Sequence, residues 1–346
     1  PPDPGTVGAL GIARLALQKL PAPRLRLDPS KALEARVERR DSFVCQSTRG
    51  CGGSGNRCRI ERLTTRVGDV RKSFTWGGSC SLHDGGTSGP KLPEAAPHPF
   101  REREELAAAF ASQAPETGAG PRVGLTEELV LKGSTPFFLT FLRELGARPV
   151  LARGADRETL KRGIARSNTS WCAPLQLFHG AVSWLQEAGV DHLFLPMLRS
   201  LSRSPGTTHA ATCPVCQAGP DLLRWDLGLE DDVTVLSPVL DLGEEGWRTP
   251  SFRRACRTVA RELGADRRRA ERAFGAAVAA QEEFERRCRV IGERALEFCR
   301  ARDRIAVVVL GRPYTIYNPI LNSNVPAILR EQGALAVPLE CLPVDP

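Results

Sequence analysis

Long hydrophobic runs are absent from this sequence of 346 residues. It contains no stretch of about 18 consecutive apolar residues, which excludes a transmembrane helix of ordinary length. No charged segment followed by an apolar segment and a small-residue cleavage site opens the chain, so a secretory signal is not predicted. We therefore expect a cytoplasmic protein whose cysteines stay reduced.

Lysine is scarce, with 6 Lys among 48 basic residues. The formal net charge of +8 is a balance that can indicate nucleic-acid binding. The arginines are interleaved with acids, however, and the segment from Ser251 to Arg304 holds 15 Arg beside 9 Asp or Glu at largely helical spacing. That pattern is typical of solvated helix faces with ion pairs of small individual energy. Nucleic-acid binding is not predicted.

Hydrophobic residues make up 41% of the chain and charged residues 25%, which predicts a folded protein with a substantial core. The length suits two to three domains. The single methionine is Met197, and we expect a fragment of a longer protein. The predicted organisation is an upstream domain's tail at 1–30, a linker at 31–44, a Cys-rich metal-binding module at 45–90, a linker at 91–120, an α/β domain at 121–303 with long helices at 251–303, and the start of a second α/β unit at 304–346.

Strands and helices alternate from residue 121 onward. Helical periodicity is clear in STPFFLTFLRELG, with Ser134 as the expected N-cap and Gly146 as the stop, and in APLQLFHGAVSWLQEAG. The runs HLFLPML and DDVTVLSPVL are each interpreted as one strand, and IAVVVL as a central strand covered on both faces. This alternation predicts a doubly wound parallel sheet, preceded by the small Cys-rich module.

Eleven cysteines are many for a chain of this size and class. Because no secretory signal is predicted, clustered cysteines indicate metal or redox chemistry rather than a disulfide framework. Cys45, Cys51, Cys58 and Cys80 lie in a Gly-rich context that can fold tightly around a small centre. Four thiolates suit either zinc or an iron–sulfur cluster, and the spacing leaves both open.

Two further cysteine motifs precede predicted helices. Cys172 lies just before APLQLFHG, where the helix dipole and free backbone N–H groups favour a thiolate. Cys213 and Cys216 form a C-x-x-C pair that also precedes a helix, which is compatible with half a zinc site or a redox dithiol. His179 is interpreted as a packed or capping residue.

The segment GRPYTIYNPILNSNVP follows the apolar strand at 305–310. Arg312 and Tyr314 can present a cation and a hydroxyl to an anionic ligand. Neither a P-loop nor a G-x-G-x-x-G motif occurs in the chain, so no nucleotide loop of those types is predicted.

Several of these blocks resemble one family. The segments VGLTEELVLKGSTPFFLTFLRELGARPVLA, TSWCAPLQLFHGAVSWLQEAGVDHLFLPML, CPVCQAGPDLLR and VVVLGRPYTIYNPILNSNVPAILREQGALAVP resemble the acyl-CoA dehydratase activase-related proteins. These are similar to the iron–sulfur subunits of 2-hydroxyacyl-CoA dehydratases and benzoyl-CoA reductases. The opening GTVGALGIARLAL resembles the last helix of the BadF/BadG/BcrA/BcrD-type activase ATPase domain. The resemblance is therefore to the large members of the family, in which the ATPase domain is fused to the dehydratase-like domain.

The resemblance implies an iron–sulfur electron-transfer component, with a [4Fe–4S] cluster, of an ATP-driven activase. Its expected partners are an upstream ATPase domain and an acyl-CoA dehydratase or reductase, or an acyl-CoA substrate. Cys172 and Cys213 match cysteine positions of the family and are the expected cluster ligands. Cys216 stands where no cysteine is expected, so it is either an extra ligand or a bystander. Asn318 stands where the family has Asp. Because the ATPase residues would lie upstream, this chain is not expected to hydrolyse ATP.

Two alternatives remain open. In the first, the protein is a non-enzymatic scaffold or interaction module stapled by zinc at Cys45, Cys51, Cys58 and Cys80. In the second, it is a thiol–disulfide oxidoreductase that uses Cys213 and Cys216.

Overall fold

The computed structural model describes residues 34–47, 56–83, 91–112, 119–203, 210–229 and 233–343, which form two compact units. The expected upstream tail at 1–30 and the candidate ligand Cys51 lie outside the described residues. Among the helices described, none combines the length and the apolar character that crossing a membrane requires.

The first unit is an antiparallel meander of three strands, β1 (Arg36–Val44), β2 (Arg59–Val67) and β3 (Val70–Trp76). Val67 pairs with Val70, so β2 and β3 are joined by two residues. Gly68 supplies the positive φ that such a tight hairpin requires. The structure differs here from the sequence interpretation, because most of the expected linker at 31–44 is strand β1. Strand β1 was not recognised because most of its side chains are charged and both of its faces are largely solvated, so apolar and polar residues do not alternate along it.

The second unit contains the predicted α/β elements. They are β4 (Arg122–Thr126), α2 (Thr135–Glu144), β5 (Arg148–Ala152), α3 (Arg157–Arg166), α4 (Ala173–Glu187), β6 (His192–Phe194), α5 (Pro214–Leu227) and β8 (Thr234–Leu236). The four strands form the predicted parallel sheet in the order β5-β4-β6-β8. Along β4, Val123 and Leu125 pack into a core that includes α2, while Gly124 between them faces Leu185 of α4. Helices therefore cover both faces of the sheet, which confirms the predicted α/β class.

Two apolar runs that were each expected to form one strand are each divided in two. The first forms β6 and then β7 (Met197–Ser200), and the second forms β8 and then β9 (Val239–Asp241). Pro196 and Pro238 stand at the breaks, where a missing backbone N–H interrupts the ladder. Strands β7 and β9 then pair with each other in a separate parallel sheet.

The long helices expected at 251–303 are α6 (Pro250–Glu262) and α7 (Arg267–Ala301). A further helix, α1 (Pro99–Ser112), lies inside the segment 91–120, where the sequence predicts one helical stretch near Arg101–Ala111 within a flexible linker. Leu106, Ala107 and Phe110 of α1 are buried in one cluster with residues of α7. This segment is therefore a packed part of the second unit.

The last elements are β10 (Ala306–Val309), α8 (Pro313–Ile316), α9 (Val325–Glu331) and β11 (Leu335–Pro338). Strand β10 pairs in parallel with β11. The expectation that this run is covered on both faces is not met within the described residues, because Val308 and the flanking Leu310 are exposed. The apolar composition of a strand alone does not show which of its faces is covered.

Helices α3 and α4 approach each other so closely that their backbones touch. A Cβ atom on Gly163 would lie 1.7 Å from the carbonyl oxygen of Gln176, and one on Gly180 would lie 1.9 Å from the carbonyl oxygen of Thr159. Both clashes are with backbone atoms, which cannot turn aside as a flexible side chain can. Glycine is therefore required at both positions.

We predict that Gly163→Ala lowers the free energy of unfolding by about 1–3 kcal/mol, because the two helices must separate to admit a methyl group. Urea unfolding followed by circular dichroism measures the change. The matched control is Gly275→Ala in α7, where a Cβ has open space, and a gain of about 0.5–1 kcal/mol is expected there. Equal effects of the two substitutions would contradict the close contact.

Candidate functional site

A cavity of about 560 Å³ lies in the second unit among segments that follow strands β4, β6, β9 and β10. Its lining includes Cys213, and we call it the Cys213 pocket. The walls are mainly apolar and include Leu131, Phe138, Leu198, Leu240, Leu242 and Phe252. In open α/β sheets, ligands bind beyond the carboxyl ends of the strands.

Cys213 stands at the N-cap position of α5, before Pro214. Burial raises the pKa of its thiol, but the backbone N–H groups of Val215 and Cys216 and the charge of Arg312 outweigh burial, so the pKa lies below its usual value. The start of the helix thus stabilises the thiolate. Cys213 is consequently the more readily ionised thiol of the pair.

Cys216 lies one turn further along α5 and is buried. Burial raises the pKa of its thiol, and this outweighs the opposing hydrogen bond from Tyr314. The Cys216 Sγ lies 3.6 Å from the Tyr314 hydroxyl. The two cysteines therefore differ in character, with a thiolate favoured at Cys213 and a neutral thiol at Cys216.

The GRPY segment supplies the facing wall of the pocket. Gly311 is required where β10 ends, because a Cβ there would lie 2.4 Å from a side-chain atom of Ile316. Arg312 is exposed at the N-cap of α8, beside Tyr314, and among the described residues no carboxylate pairs with it. Burial raises the pKa of Tyr314, which keeps its proton. The structure thus brings Cys213, Cys216, Arg312 and Tyr314 together.

Cys172 is not among the residues that line the Cys213 pocket. It stands exposed at the N-cap position of α4. His179 of the same helix is fully buried, with Nδ1 2.9 Å from the Leu175 carbonyl oxygen and Nε2 2.8 Å from Asp226 Oδ2 of α5. The contact with Asp226 joins α4 to α5. The interpretation of His179 as a packing residue agrees with this geometry.

The predicted metal ligands of the Cys-rich segment are only partly described. Cys45 directly follows β1, and Cys58 directly precedes β2, which pairs with β1. The backbone N–H of Cys45 donates to the Cys58 carbonyl. His83, which the sequence analysis did not single out, places Nε2 3.2 Å from the Cys45 Sγ. Cys80 is half-buried. Within the described ranges, no group of three or more His, Cys, Asp or Glu side chains is arranged to hold a metal ion.

A group of charged side chains next to the pocket was not predicted from the sequence. Four of its members, Arg103, Glu127, Glu128 and Lys132, are buried, and the others are partly or largely exposed. We call it the buried charge cluster. Glu340 lines the pocket and accepts a hydrogen bond of 2.9 Å from the Arg103 Nε, and the Arg103 side chain is 2% exposed. The members are Arg103, Glu104, Glu127, Glu128, Lys132, Arg153 and Glu340.

Most members of this cluster are paired. The Lys132 ammonium lies 2.8 Å from Glu104 and 3.4 Å from Glu127, and the Arg153 Nε lies 2.9 Å from Glu127. The available sequence signal was the pair of acids directly after the apolar strand β4, at the carboxyl edge of the sheet. That signal marks the edge but does not show that both acids are buried.

Comparison with known families gives one match. The family model described as the CoA enzyme activase uncharacterised domain matches residues 122–342. Neither the curated proteins nor the solved structures include a match to the chain. The matched range contains the parallel sheet, the given lining of the Cys213 pocket and five of the seven members of the buried charge cluster, since Arg103 and Glu104 precede it.

We predict that Arg312→Met slows the alkylation of Cys213 by iodoacetamide at neutral pH by about two- to fivefold, because removal of the nearby cation raises the pKa of the thiol. Peptide mass spectrometry with localisation to Cys213 measures the rate. The exposed Arg300, in the last turn of α7, provides the control Arg300→Met, which should leave the rate unchanged. An unchanged rate in Arg312→Met would show that the guanidinium does not act on Cys213.

Proposed function

This chain belongs to the family described as the CoA enzyme activase uncharacterised domain, and from that membership we propose that it is the redox component of an activase for a CoA-dependent enzyme, with the Cys213 pocket as its working site. More specifically, we propose that it is an iron–sulfur electron-transfer component of an ATP-driven activase. That activase would serve 2-hydroxyacyl-CoA dehydratase or benzoyl-CoA reductase-type chemistry. The observation that carries it is the convergence of two thiols, a guanidinium and a phenol from separate motifs in one apolar pocket.

An iron–sulfur cluster fits these residues only in part. A [4Fe–4S] cluster takes four thiolates, and when bound it would carry one electron at a time. The described lining of the pocket supplies two, Cys213 and Cys216, and Cys172 does not line it. The described residues therefore do not form a complete four-thiolate site, and we derive no step through a cluster.

The chain's own residues have clear roles within the proposal. Cys213 presents a thiolate, Cys216 and Tyr314 hold protons, and the apolar walls limit the access of water to them. Arg312 offers a positive charge to an anionic group at the pocket mouth. The proposed setting is the cytoplasm, with an upstream ATPase domain and an acyl-CoA dehydratase or reductase as partners.

A second candidate function is thiol–disulfide exchange at Cys213 and Cys216. It is favoured by a specific observation: the two thiols lie one turn apart at the start of α5, and the pKa of Cys213 is lowered while that of Cys216 is raised by burial. In this chemistry the Cys213 thiolate attacks a partner's disulfide and releases one partner thiolate. Cys216 then loses its proton and attacks the mixed disulfide, which releases the second partner thiolate and leaves a Cys213–Cys216 disulfide.

We predict that protein purified without oxygen contains iron and acid-labile sulfide, and that Cys213→Ser removes most of both because it deletes a ligand. Elemental analysis, sulfide assay and absorption spectroscopy measure the loss. The comparison variant is Cys172→Ser, whose exposed side chain lies outside the pocket lining and whose iron content should be retained.

Two other results of the metal analysis would lead to different conclusions about the site. Loss of iron only on changing Cys45, Cys51, Cys58 or Cys80 would assign the centre to the Cys-rich segment instead of the pocket. About one zinc per chain without iron would contradict electron transfer and favour the zinc-stapled scaffold.

For the second candidate, we predict that oxidation with glutathione disulfide joins Cys213 to Cys216, because the first is readily ionised and the second lies one turn away. Non-reducing peptide mass spectrometry identifies the bond. Cys216→Ser should instead trap glutathione on Cys213. Oxidised protein in which Cys213 and Cys216 remain free thiols would exclude the dithiol role.

A further inference from the structure

One carboxylate on the wall of the Cys213 pocket is held by uncharged donors. Glu285 of α7 lines the pocket. Its Oε1 accepts a hydrogen bond of 2.8 Å from the Trp247 indole N–H and one of 3.0 Å from the side-chain amide of Gln281. Among the described residues, no cation pairs with Glu285 and no donor contacts its second carboxylate oxygen. That oxygen is therefore open to a ligand.

The acids closest to Glu285 in sequence and in the pocket differ from it, because each of them contacts a cation. Glu282, which precedes it by three residues on α7, pairs with Arg248 at 2.8 Å. Glu340, the other carboxylate of the described pocket lining, pairs with Arg103 at 2.9 Å. Glu285 thus brings to the pocket wall a negative charge that the described part of the chain does not pair.

The Glu285 carboxylate is fixed in position by a rigid support. Gln281 is 1% exposed, and besides its bond to Glu285 its Nε2 donates to the Gly133 carbonyl at 2.9 Å, while its Oε1 accepts from the backbone N–H of Phe137 at 3.3 Å. The Trp247 ring is stacked on Phe137, with ring centroids 5.3 Å apart. Both donors to Glu285 are therefore held in place before any ligand arrives, which lowers the cost of binding one.

The surroundings of this carboxylate favour a positively charged ligand with an apolar body. Phe138, Leu242 and Phe252 are among the apolar side chains that line the same pocket. A charge acts more strongly beside apolar walls than in bulk water, and a hydrogen bond from an ammonium group to a carboxylate is about twice as strong as one between neutral groups. An apolar molecule with an ammonium group matches both the walls and Glu285.

We propose that the Cys213 pocket binds an organic ammonium ion, with its positive group bound by Glu285 and its apolar body against the aromatic and aliphatic walls. The inference deepens the proposed function by naming a chemical class of ligand, and it rests on that function only in taking the Cys213 pocket as the working site. It requires neither a cluster nor a disulfide.

The charges of the pocket lining orient such a ligand. Arg312 is the cation of the described lining, and it lies at the pocket mouth beside Tyr314. Because like charges repel, the ammonium group is disfavoured beside Arg312 and favoured at Glu285. Glu340 competes less for the ligand, since its carboxylate is already bonded to Arg103.

Isothermal titration calorimetry on the full chain at neutral pH tests the inference with two probes of nearly equal shape. 4-Phenylbutylammonium carries the positive group, and 4-phenylbutan-1-ol has a neutral hydroxyl in its place. We expect the ammonium to bind about ten- to hundredfold more tightly, because a hydrogen bond between charged groups is the stronger one. At saturation the ammonium should also slow the alkylation of Cys213 by iodoacetamide severalfold, which locates it in the pocket.

Glu285→Gln preserves the size of the side chain and removes its charge. It should weaken the binding of the ammonium by about tenfold or more and leave the binding of the alcohol within about twofold. The matched control is Glu293→Gln, which alters an exposed acid of the same helix that forms no ion pair among the described residues, and which should bind both probes as the unchanged protein does. If Glu285→Gln does not fold, Glu285→Met takes its place, because methionine has a similar length and needs no hydrogen bond.

Three results would overturn the inference. The ammonium could bind to the unchanged protein no more tightly than the alcohol, it could bind without slowing the alkylation of Cys213, or it could bind to the Glu285 variant as tightly as to the unchanged protein. Because the redox role is measured by iron, sulfide and disulfide content, its failure is distinct from failure of the ammonium site.

Discussion

Parallel pairing of strands is the constraint on which the candidate site depends, both in the four-stranded sheet and in the pairs β7–β9 and β10–β11. In each parallel sheet the strands end at the same edge, so the segments that follow its strands meet there regardless of their separation in sequence. Cys213 comes after β7 and Arg312 after β10, yet both line one pocket with residues that follow β4. The prolines at 196 and 238 contribute as well, because they end β6 and β8 early and direct the chain into β7 and β9, beside the cavity.

Buried charge is the second organising feature. Arg103 is bonded to Glu340 and lies 4.1 Å from the ring centre of Tyr317 and 5.0 Å from that of Phe284. One guanidinium therefore joins α1, α7 and the segments that follow α8 and β11. Charges at such depth are favourable only when their partners are in place, and removal of one partner leaves the other uncompensated. The charges of the cluster can therefore be buried favourably only when the four segments that carry their partners have assembled correctly.

Much of the architecture could be predicted from the sequence, because hydrophobic periodicity and glycine stops identify elements that are buried on one side. The helices that contain Phe137 and His179 and the α/β class are clear examples. Strand β1 could not be recognised, since charged side chains such as Arg36 outnumber its apolar residues. For α1 the helical stretch was predicted, but its packing against α7 was not, because that depends on the assembled fold. The exposure of β10 could not be predicted either, because it depends on neighbouring strands and not on the composition of the strand itself.

The candidate site was predictable in part for the same reason. Cys213, Cys216, Arg312 and Tyr314 carry recognisable chemistry at predicted helix starts and strand ends, so local sequence was enough to select them. Cys172 has the same local signature, but the tertiary path of α4 leaves it outside the pocket lining. The local signature of Glu128 is only its place in the pair of acids that follows β4. Its burial and the number of its neighbouring charges are properties of the assembled fold.

The glycine contact between α3 and α4 has a mechanical consequence. Helices separated by side chains can slide by changes of rotamer, but two backbones in direct contact have no deformable layer between them, and their Cα–H groups can bond to the facing carbonyl oxygens. The pair therefore transmits displacement as one rigid body. A displacement of α3 would therefore be passed to α4, and through the hydrogen bond between His179 and Asp226 to α5, the helix that begins after Cys213.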